Sequence, residues 1–474
     1  NGTADAPASA APNCAFQAVE RAVSMAPPDA TIEVTQGSFA PGAISIVKNV
    51  TIRGMSAEPA SFFQSNTGAW FTCASGVFCA FENIEFDAHD NQNTIGILAE
   101  GSVDGERLVF KDFAPGLVPN TAGVRVSTGV ARIEDSRFDS VHFAVEIQAG
   151  TSSSIKDSEF AGVEVGIQVF APAAVISGNR FSNGGVAVQV SRASGVAPAA
   201  QAFVVGNDFG NSREDLRVGR DNTDPSGVDT HFNRFGSDSG LFTSPTSAVS
   251  ATNNWWGCNS GPDIYPAATT CAVVLSWLPA TAYTPWLTMT VGGPAATNHP
   301  RAYAADFTTN SEGESVASLG SLPDGVEVSF RTDSSSHATV APAGLTRDGV
   351  ARAKLRPGKT DGPVALTVSL DGQQLSLPIM IDRQQPDARI KEPTTGAIVR
   401  RLRTIAVPLA KVQAVEVTTD PAQRRCGTAA MMIDVAGVSG RWALRITDLD
   451  EQRAEALRGH IVPVATRVLL PDGV

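Results

Sequence analysis

The 474 residues predict an all-β chain: a right-handed, single-stranded parallel β-helix, then an immunoglobulin-like β-sandwich and a smaller, mostly β C-terminal module. Three observations predict the helical part. A phrase apolar–x–x–Ser/Asn–x–Phe recurs as Ile133–Phe138, Ile155–Phe160, Ile176–Phe181 and Val204–Phe209, and Phe232-Asn233-Arg234-Phe235 closes the set. Counting weaker copies at Phe86 and Phe110, its phenylalanines lie 24, 28, 22, 21, 28 and 26 residues apart, the period of stacked repeats. Between the phrases lie short alternating strands, among them Val124-Arg125-Val126, Val145-Glu146-Ile147 and Ile167-Gln168-Val169, spaced too closely for βαβ units.

Taken in order, residues 1–12 are small, polar and proline-bearing and read as a flexible lead-in. Ala15, Phe16, Val19, Ala22 and Val23 share one helical face, with Asn13 as N-cap and Pro27-Pro28-Asp29 as the stop. A short helix here covers the open end of a solenoid, whose backbone cannot be left bare. Strands follow at 31–34, 43–46 and 50–52. In the coils beyond, each strand pairs with its counterpart one coil later at about 4.8 Å, so Ile, Val and Phe form continuous inward rows. Ser136, Ser158, Asn179, Asn207 and Asn233 are expected to stack at one turn and hydrogen-bond along the row.

The N-terminal helix, the string Asn49-Val50-Thr51-Ile52-Arg53-Gly54 and the Asn-x-Phe coils resemble a pectate-lyase-like right-handed parallel β-helix over roughly residues 13–257. Such motifs specify a fold and leave the activity open. The repeat ends at Asn253-Asn254-Trp255-Trp256-Gly257-Cys258. Trp255, 20 residues after Phe235, is expected to take the phenylalanine place in a last coil. Crowding by Gly, Pro and Cys favours a cap over a sugar-stacking platform. With Pro285-Trp286-Leu287 following, the string resembles a junction in secreted bacterial surface proteins where a β-helix precedes an immunoglobulin-like domain.

Alternating strands at Leu287/Met289/Val291, Val326/Val328/Phe330 and Val364/Leu366/Val368/Leu370 fit that sandwich. Asp324-Gly325, Asp348-Gly349 and Asp371-Gly372 supply turns, of which only the last is placed for a tight hairpin. Asn310–Gly313 and Leu322–Gly325 also resemble bacterial immunoglobulin-like repeats, which serve as spacers or adhesive stalks. Further on, Arg400-Arg401-Leu402-Arg403 and Arg424-Arg425 read as a solvated basic face, and 450–457 as a short helix. The last five residues repeat Leu322–Val326, as if the sequence stopped inside a longer array. The segments are therefore 1–12 lead-in, 13–280 β-helix with its capping helix, 281–385 immunoglobulin-like sandwich and 386–474 C-terminal module.

Composition narrows the function. A net charge of −12 argues against nucleic acid and anionic membranes. No apolar run of about 18 residues exists to span a bilayer. No secretory signal is present, so the chain begins after its removal or never carried one. The six cysteines fit no zinc spacing; Cys73–Cys79 and Cys258–Cys271 are natural local disulfides, with Cys258–Cys271 stapling the end of the helix, and Cys14 and Cys426 lack obvious partners. That usage points to an extracellular, cell-surface or periplasmic setting.

A glycosidase needs two carboxylates about 5–10 Å apart, and a polyuronate lyase a base with a means of neutralising the uronate. Neither polygalacturonase-like nor pectate-lyase-like strings occur. The residues preceding each phenylalanine run Arg137, Glu159, Arg180, Asp208 and Arg234, alternating in charge coil by coil, and read as an exposed ladder that fixes register. The second strand presents Gly96, Arg125, Glu146, Gln168, Gln189 and Arg217; Arg125 to Arg217 are the glycan-binding candidates. Asp87, Asp90, Asn91 and Asn93, and Glu214, Asp215, Asp221 and Asp224, form two acidic loops where Ca²⁺ is the only cofactor to consider; neither matches an EF-hand, and ordinary turn chemistry is the favoured reading. These features favour a non-catalytic surface structural or adhesive protein, with other copies, matrix proteins or cell-surface glycans as partners. The alternative is a lyase or hydrolase of acidic glycans using Glu146, Arg125 and Arg217.

Overall fold

The computed structural model describes residues 18–382, apart from positions 36, 41, 64–66, 114–119, 151, 172, 193–198, 222, 265–270, 276–281 and 334–335. Beyond 382 it describes only the backbone of strands between 389 and 450. Cys14, Asn13, Cys426 and residues 451–457 lie outside the described residues, and Asp450 closes a strand, Trp442–Asp450.

A seven-residue helix, Val19–Met25, buries Val19, Ala22 and Val23 against the first coils. The chain then winds as a parallel β-solenoid of three sheets, with ten, nine and eleven strands among the described residues. The first sheet runs from Ala30–Val34 to Ala248–Ser250, the second from Ser38–Phe39 to Arg234–Phe235, and the third starts at Ile44–Ile46. Register is kept across coils: Phe86, Phe110, Phe138, Phe160, Phe181, Phe209 and Phe235 pair in sequence. Their rings stack with centroids 4.6–5.3 Å apart and no neighbouring pair more than 27° from parallel. Opposite the rings the third sheet places Gly96, Gly123, Ala144, Gly166 and Ala187, because there is no room for more; a Cβ on Gly166 would lie 2.8 Å from the Phe181 ring.

Trp256, not Trp255, ends the stack, 4.4 Å from Phe235 at an angle of 9°. Trp255 pairs instead with Arg234, one place earlier, and so faces outward. Trp256 stands 21 residues after Phe235, the same spacing as Phe160 to Phe181, so the expectation for Trp255, at 20, was one place short.

A turn of fixed shape joins the first and second sheets. Asn83, Arg107, Asp135, Asp157, Gly178, Gly206, Phe232 and Asn253 take its left-handed position, with φ between 49° and 69°. Asn, Asp and Gly reach that conformation cheaply, whereas a bulky side chain pays about 1–2 kcal/mol. The next residue points inward, and from Ser136 to Asn254 these residues form an unbroken hydrogen-bonded column. Leu108 N donates to Ser136 Oγ, Ser136 N to Ser158 Oγ and Ser158 N to Asn179 Oδ1; Asn179 N, Asn207 N and Asn233 N each donate to the next Oδ1. Each of these bonds satisfies a backbone donor that water cannot reach.

At another turn, Gly101, Gly129 and Gly150 bring successive coils into backbone contact. A Cβ on Gly129 would lie 1.6 Å from the Gly101 carbonyl oxygen. Gly129→Ala is therefore expected to destabilise the β-helix by about 1–3 kcal/mol, typical of overpacking. A thermal scan checks this, and an unchanged midpoint would refute the close approach.

Cys73–Cys79 and Cys258–Cys271 are bonded, one near each end of the solenoid. After it, strands from Leu287–Gly292 to Gln373–Ile381 form a further β domain, antiparallel except where Ala296–Thr297 joins Met380–Ile381. Its core gathers Tyr303, Phe307, Phe330, Leu355, Leu366 and Val368. Leu370 pairs with Gln373 across Asp371-Gly372, and Arg347 with Val350 across Asp348-Gly349. Asp348-Gly349 thus also makes a two-residue hairpin, contrary to expectation, since Asp348 and Gly349 take φ of 49° and 73°. Two three-stranded antiparallel sheets follow between Arg389 and Asp450. Among the described residues no helix is long and apolar enough to cross a membrane.

Candidate functional site

The charged row ahead of the phenylalanines leads to the most developed polar site. Register places Arg137, Glu159, Arg180, Asp208 and Arg234 in one column. Arg137 and Glu159 approach only to 4.0 Å, whereas Asp208 bonds both neighbours, Arg180 at 3.3 Å and Arg234 at 2.7 Å. The upper part of this ladder is not exposed, as sequence alone suggested, because the β domain covers it. Asp371, at the tip of its Asp371-Gly372 hairpin, receives Arg234 Nε and Nη2, and Trp255 Nε1 donates to the same carboxylate at 2.8 Å. Burial opposes the charge on Arg234, but Asp371 and then Asp208 outweigh it and hold the guanidinium above its ordinary pKa.

Around this centre the two units share a core. Phe232, carried outward by its left-handed backbone, and Trp255 belong to the same buried cluster as Leu287, Phe307 and Leu322. A Cβ on Gly320 would fall 2.5 Å from the Phe232 ring, so glycine is required there. The strain at Phe232 is thus spent on packing between units. Asn259 adds a clamp: its side chain bonds Met289 N and O, its N–H donates to Gln373 Oε1, and its carbonyl accepts Trp286 Nε1. Arg180 Nη2 donates to Gly325 O at 3.0 Å.

Beside Arg180 the units leave a cleft of about 400 Å³, lined by Asp135, Arg137, Asp157, Glu159, Asp208 and Asp324 among others. Five carboxylates and two guanidiniums face it, a net acidic lining with no aromatic platform. Partial burial, then Asp135 and Glu134, push Asp157 above the usual carboxylate range, with Lys156 opposing.

The glycan-binding candidates are placed differently from expectation. Arg125, Glu146, Gln168, Gln189 and Arg217 do share one row, but Leu98 precedes Arg125 in it and Gly96 does not. Glu146 and Gln168 are buried, and Arg125 Nε is bonded to Glu146, whose other oxygen accepts Gln148. Arg217 is held by Glu214 and lies over Phe242. Four coils, roughly 19 Å, separate Arg125 from Arg217, so the three enzymatic suspects do not converge. A period shows which side chains align; it does not show which are already neutralised.

The carboxylates of Asp87, Asp221 and Asp224 find internal partners, while Asp90 is held through its backbone N–H. Asp87 pairs with Lys111 and with His89, and Asp90 N bonds Asp112 O. Asp221 accepts Thr223, while Asp224 accepts Arg192 N, Arg220 N and Ser226. Among the described residues no group of three His, Cys, Asp or Glu is arranged to hold a metal ion.

Asp215, grouped by sequence with the acidic loop at Asp221 and Asp224, is instead turned into the core. It occupies the small-residue row between Ala187 and Gly240, fully buried, with Oδ2 receiving Ser237 N at 3.3 Å and Oδ1 unpartnered. Burial raises its pKa well above the carboxylate value; Ser237 and Arg234 oppose this and Asp371 adds to it. The folded chain therefore binds this proton more tightly than the unfolded one. Its contribution is fully present below about pH 4 and is lost as pH rises through the folded value. Asp215→Ala is expected to raise stability at neutral pH by about 1–2 kcal/mol and to flatten the fall toward alkaline pH. Urea midpoints between pH 5 and 8 check both, and parallel curves for the two proteins would contradict the buried carboxyl.

Comparison with known proteins adds little to this geometry. A family model for bacterial PH domains matches residues 394–463. No protein of curated function matches the chain. Among solved structures, a tailspike protein of E. coli bacteriophage HK620 is 11% identical, covering 76% of this chain and 88% of its own, at a TM-score of 0.29. The D0-D1 domain of intimin is 17% identical over 34% of this chain and 98% of its own, at 0.17. Domains 4 and 5 of the S-layer protein SbsC are 14% identical over 21% of this chain, at 0.16, and the chain spans about half of that fragment. Likenesses at this level do not bear on function.

Proposed function

We propose that the chain is a non-catalytic structural or adhesive protein of the cell surface or extracellular space. In this reading 13–280 is a pectate-lyase-like, right-handed β-helix forming a stiff rod, 281–385 an immunoglobulin-like spacer, and 386–474 a PH-like module linking to further partners. The observation that carries it is the joint at Arg234, Asp371, Trp255 and Phe232. A shared core with a buried ion pair holds two units at one angle, which serves a load-transmitting rod and has no evident use in a mobile catalytic domain. Two disulfides fit an oxidising setting.

The alternative, cleavage of an acidic glycan, is disfavoured by charge. The cleft already carries more carboxylates than guanidiniums and would repel a polyuronate. Of the row Arg125, Glu146, Gln168, Gln189 and Arg217, the half-buried Gln189 and Arg217 are retained as glycan contacts on the rod, since Glu146 and Gln168 are buried and Arg125 is paired with Glu146. Single-particle electron microscopy of the purified chain tests the proposal: one fixed angle between β-helix and β domain is expected. A broad spread of angles would remove its basis.

A further inference from the structure

One face of the β domain carries charge that no ion pair among the described residues answers. In the strand Val350–Pro357, Arg352, Lys354 and Arg356 alternate outward while Ala351, Ala353 and Leu355 point into the core. Three cations on one face of a strand stand about 6.8 Å apart and repel. Their flanks give no relief. Ala304 lies beside Arg352, Ala302 beside Lys354 and Thr339 beside Arg356, while Arg347 extends the row across the hairpin. Among the described residues none of the four cations makes an ion pair. The acids nearby are Asp306, which accepts Thr308, Glu327, opposite Leu345, Asp348, next to Arg347 at the hairpin tip, and Asp324, which accepts Asp348 N. Leu345, 61% exposed, gives the face an apolar contact point.

Charged side chains of this kind commonly guard a sheet edge. That explanation fails here, because Val350–Pro357 is paired on both sides, with Arg301–Asn310 and with Ala338–Val340 and Ala343–Arg347. A concentrated basic face on an interior strand fits an anionic partner instead.

The chain itself presents such a surface. Residues 13–280 contain 27 Asp and Glu against 15 Lys and Arg, a net charge of −12. Along its first turn, Asp135 and Asp157 stand exposed on adjacent coils, and Asp135 disfavours ionisation of Asp157. The cleft they rim is large enough for arginine side chains. A guanidinium placed there would relieve the repulsion.

We infer that the basic face at Arg347, Arg352, Lys354 and Arg356 docks on the acidic β-helix turn at Asp135 and Asp157 of a second copy. This rests on the surface-structural reading and specifies its partner. The two faces differ, so the contact is head-to-tail and builds open series or rings, not closed dimers.

Sedimentation velocity of the full chain tests it. Association is expected at about 0.02 M salt and dissociation at about 0.5 M, where charges beyond a few ångströms are screened. Arg352→Glu/Lys354→Glu/Arg356→Glu should weaken self-association at least ten-fold, and Asp135→Lys/Asp157→Lys should do the same. All five residues are exposed, and mixing the two variants should restore a complex. That recovery also shows that each variant is folded. A wild-type chain monomeric at low salt, reversed variants that associate normally, or a mixture that does not recover would each overturn the inference. So would polygalacturonate or dextran sulfate binding to the basic face of a chain that never self-associates, since the partner would then be an anionic polymer. A monomer whose joint keeps one fixed angle would sink this inference and leave the rod reading intact.

Discussion

Asp371→Ala is expected to cost about 3–5 kcal/mol and to split unfolding into two transitions. The substitution strands Arg234, buried between coil and hairpin, with Asp208 as its remaining partner, and removes the acceptor of Trp255 Nε1. Removing one member of a buried ion pair costs this much because the other charge stays desolvated. The damage falls on the contact between units, so the β domain should melt first and the β-helix afterwards. Differential calorimetry resolves the two, and tryptophan emission reports exposure of Trp255. Asp371→Asn keeps an acceptor for the indole and loses only the charge, so it should be milder. A single transition at the wild-type midpoint for Asp371→Ala would mean that the joint contributes nothing.

Asn207→Ala should be similarly severe, for a different reason. Asn207 Oδ1 accepts the backbone N–H and the side-chain amide of Asn179, and its Nδ2 donates to Ile176 O and Asn233 Oδ1. Alanine leaves several of these buried groups unmatched, at about 1–3 kcal/mol each before relaxation, so a loss of about 3–5 kcal/mol is expected. Asn207→Ser should recover part of it. Serine already does this work at positions 136 and 158, where Oγ accepts the preceding coil's N–H and donates to a local carbonyl. Chemical denaturation gives the order wild type, Ser, Ala; equal losses for Ser and Ala would mean that the column contributes packing alone.

The column, the ring stack and the alternating charges were legible in the sequence because each is a relation between equivalent positions of neighbouring coils. Such relations recur, and recurrence survives in a list of letters. What was not legible breaks the repeat. Trp255 and Trp256 are adjacent aromatics, and only the pairing of Trp255 with Arg234 shows which of them turns inward. Asp371 reaches Arg234 from 137 residues away. Glu146 aligns with its row yet is quenched by Arg125. Asp215 sits where the repeat asks for glycine or alanine, and a carboxyl in a sequence carries no sign that its surroundings are apolar. The hairpin at Asp348-Gly349 was missed because the buried face of its first strand is carried by Gly344 and Thr346 while Leu345 points out, the reverse of the usual apolar-in pattern.

The left-handed Phe232 and the outward Trp255 also constrain how the molecule can be made. A nascent chain emerges from its N-terminus, so the last coil is complete before the β domain that covers it exists. Synthesis runs at about 5–20 residues per second, so the stretch from Trp256 to Asp382 takes about 6–25 s. Throughout that interval a phenyl and an indole ring stand uncovered on the end of an otherwise finished rod. A chaperone that shields this end during translation would protect yield. Fragments ended before residue 287 should clump through it, while fragments ended after residue 382 should not.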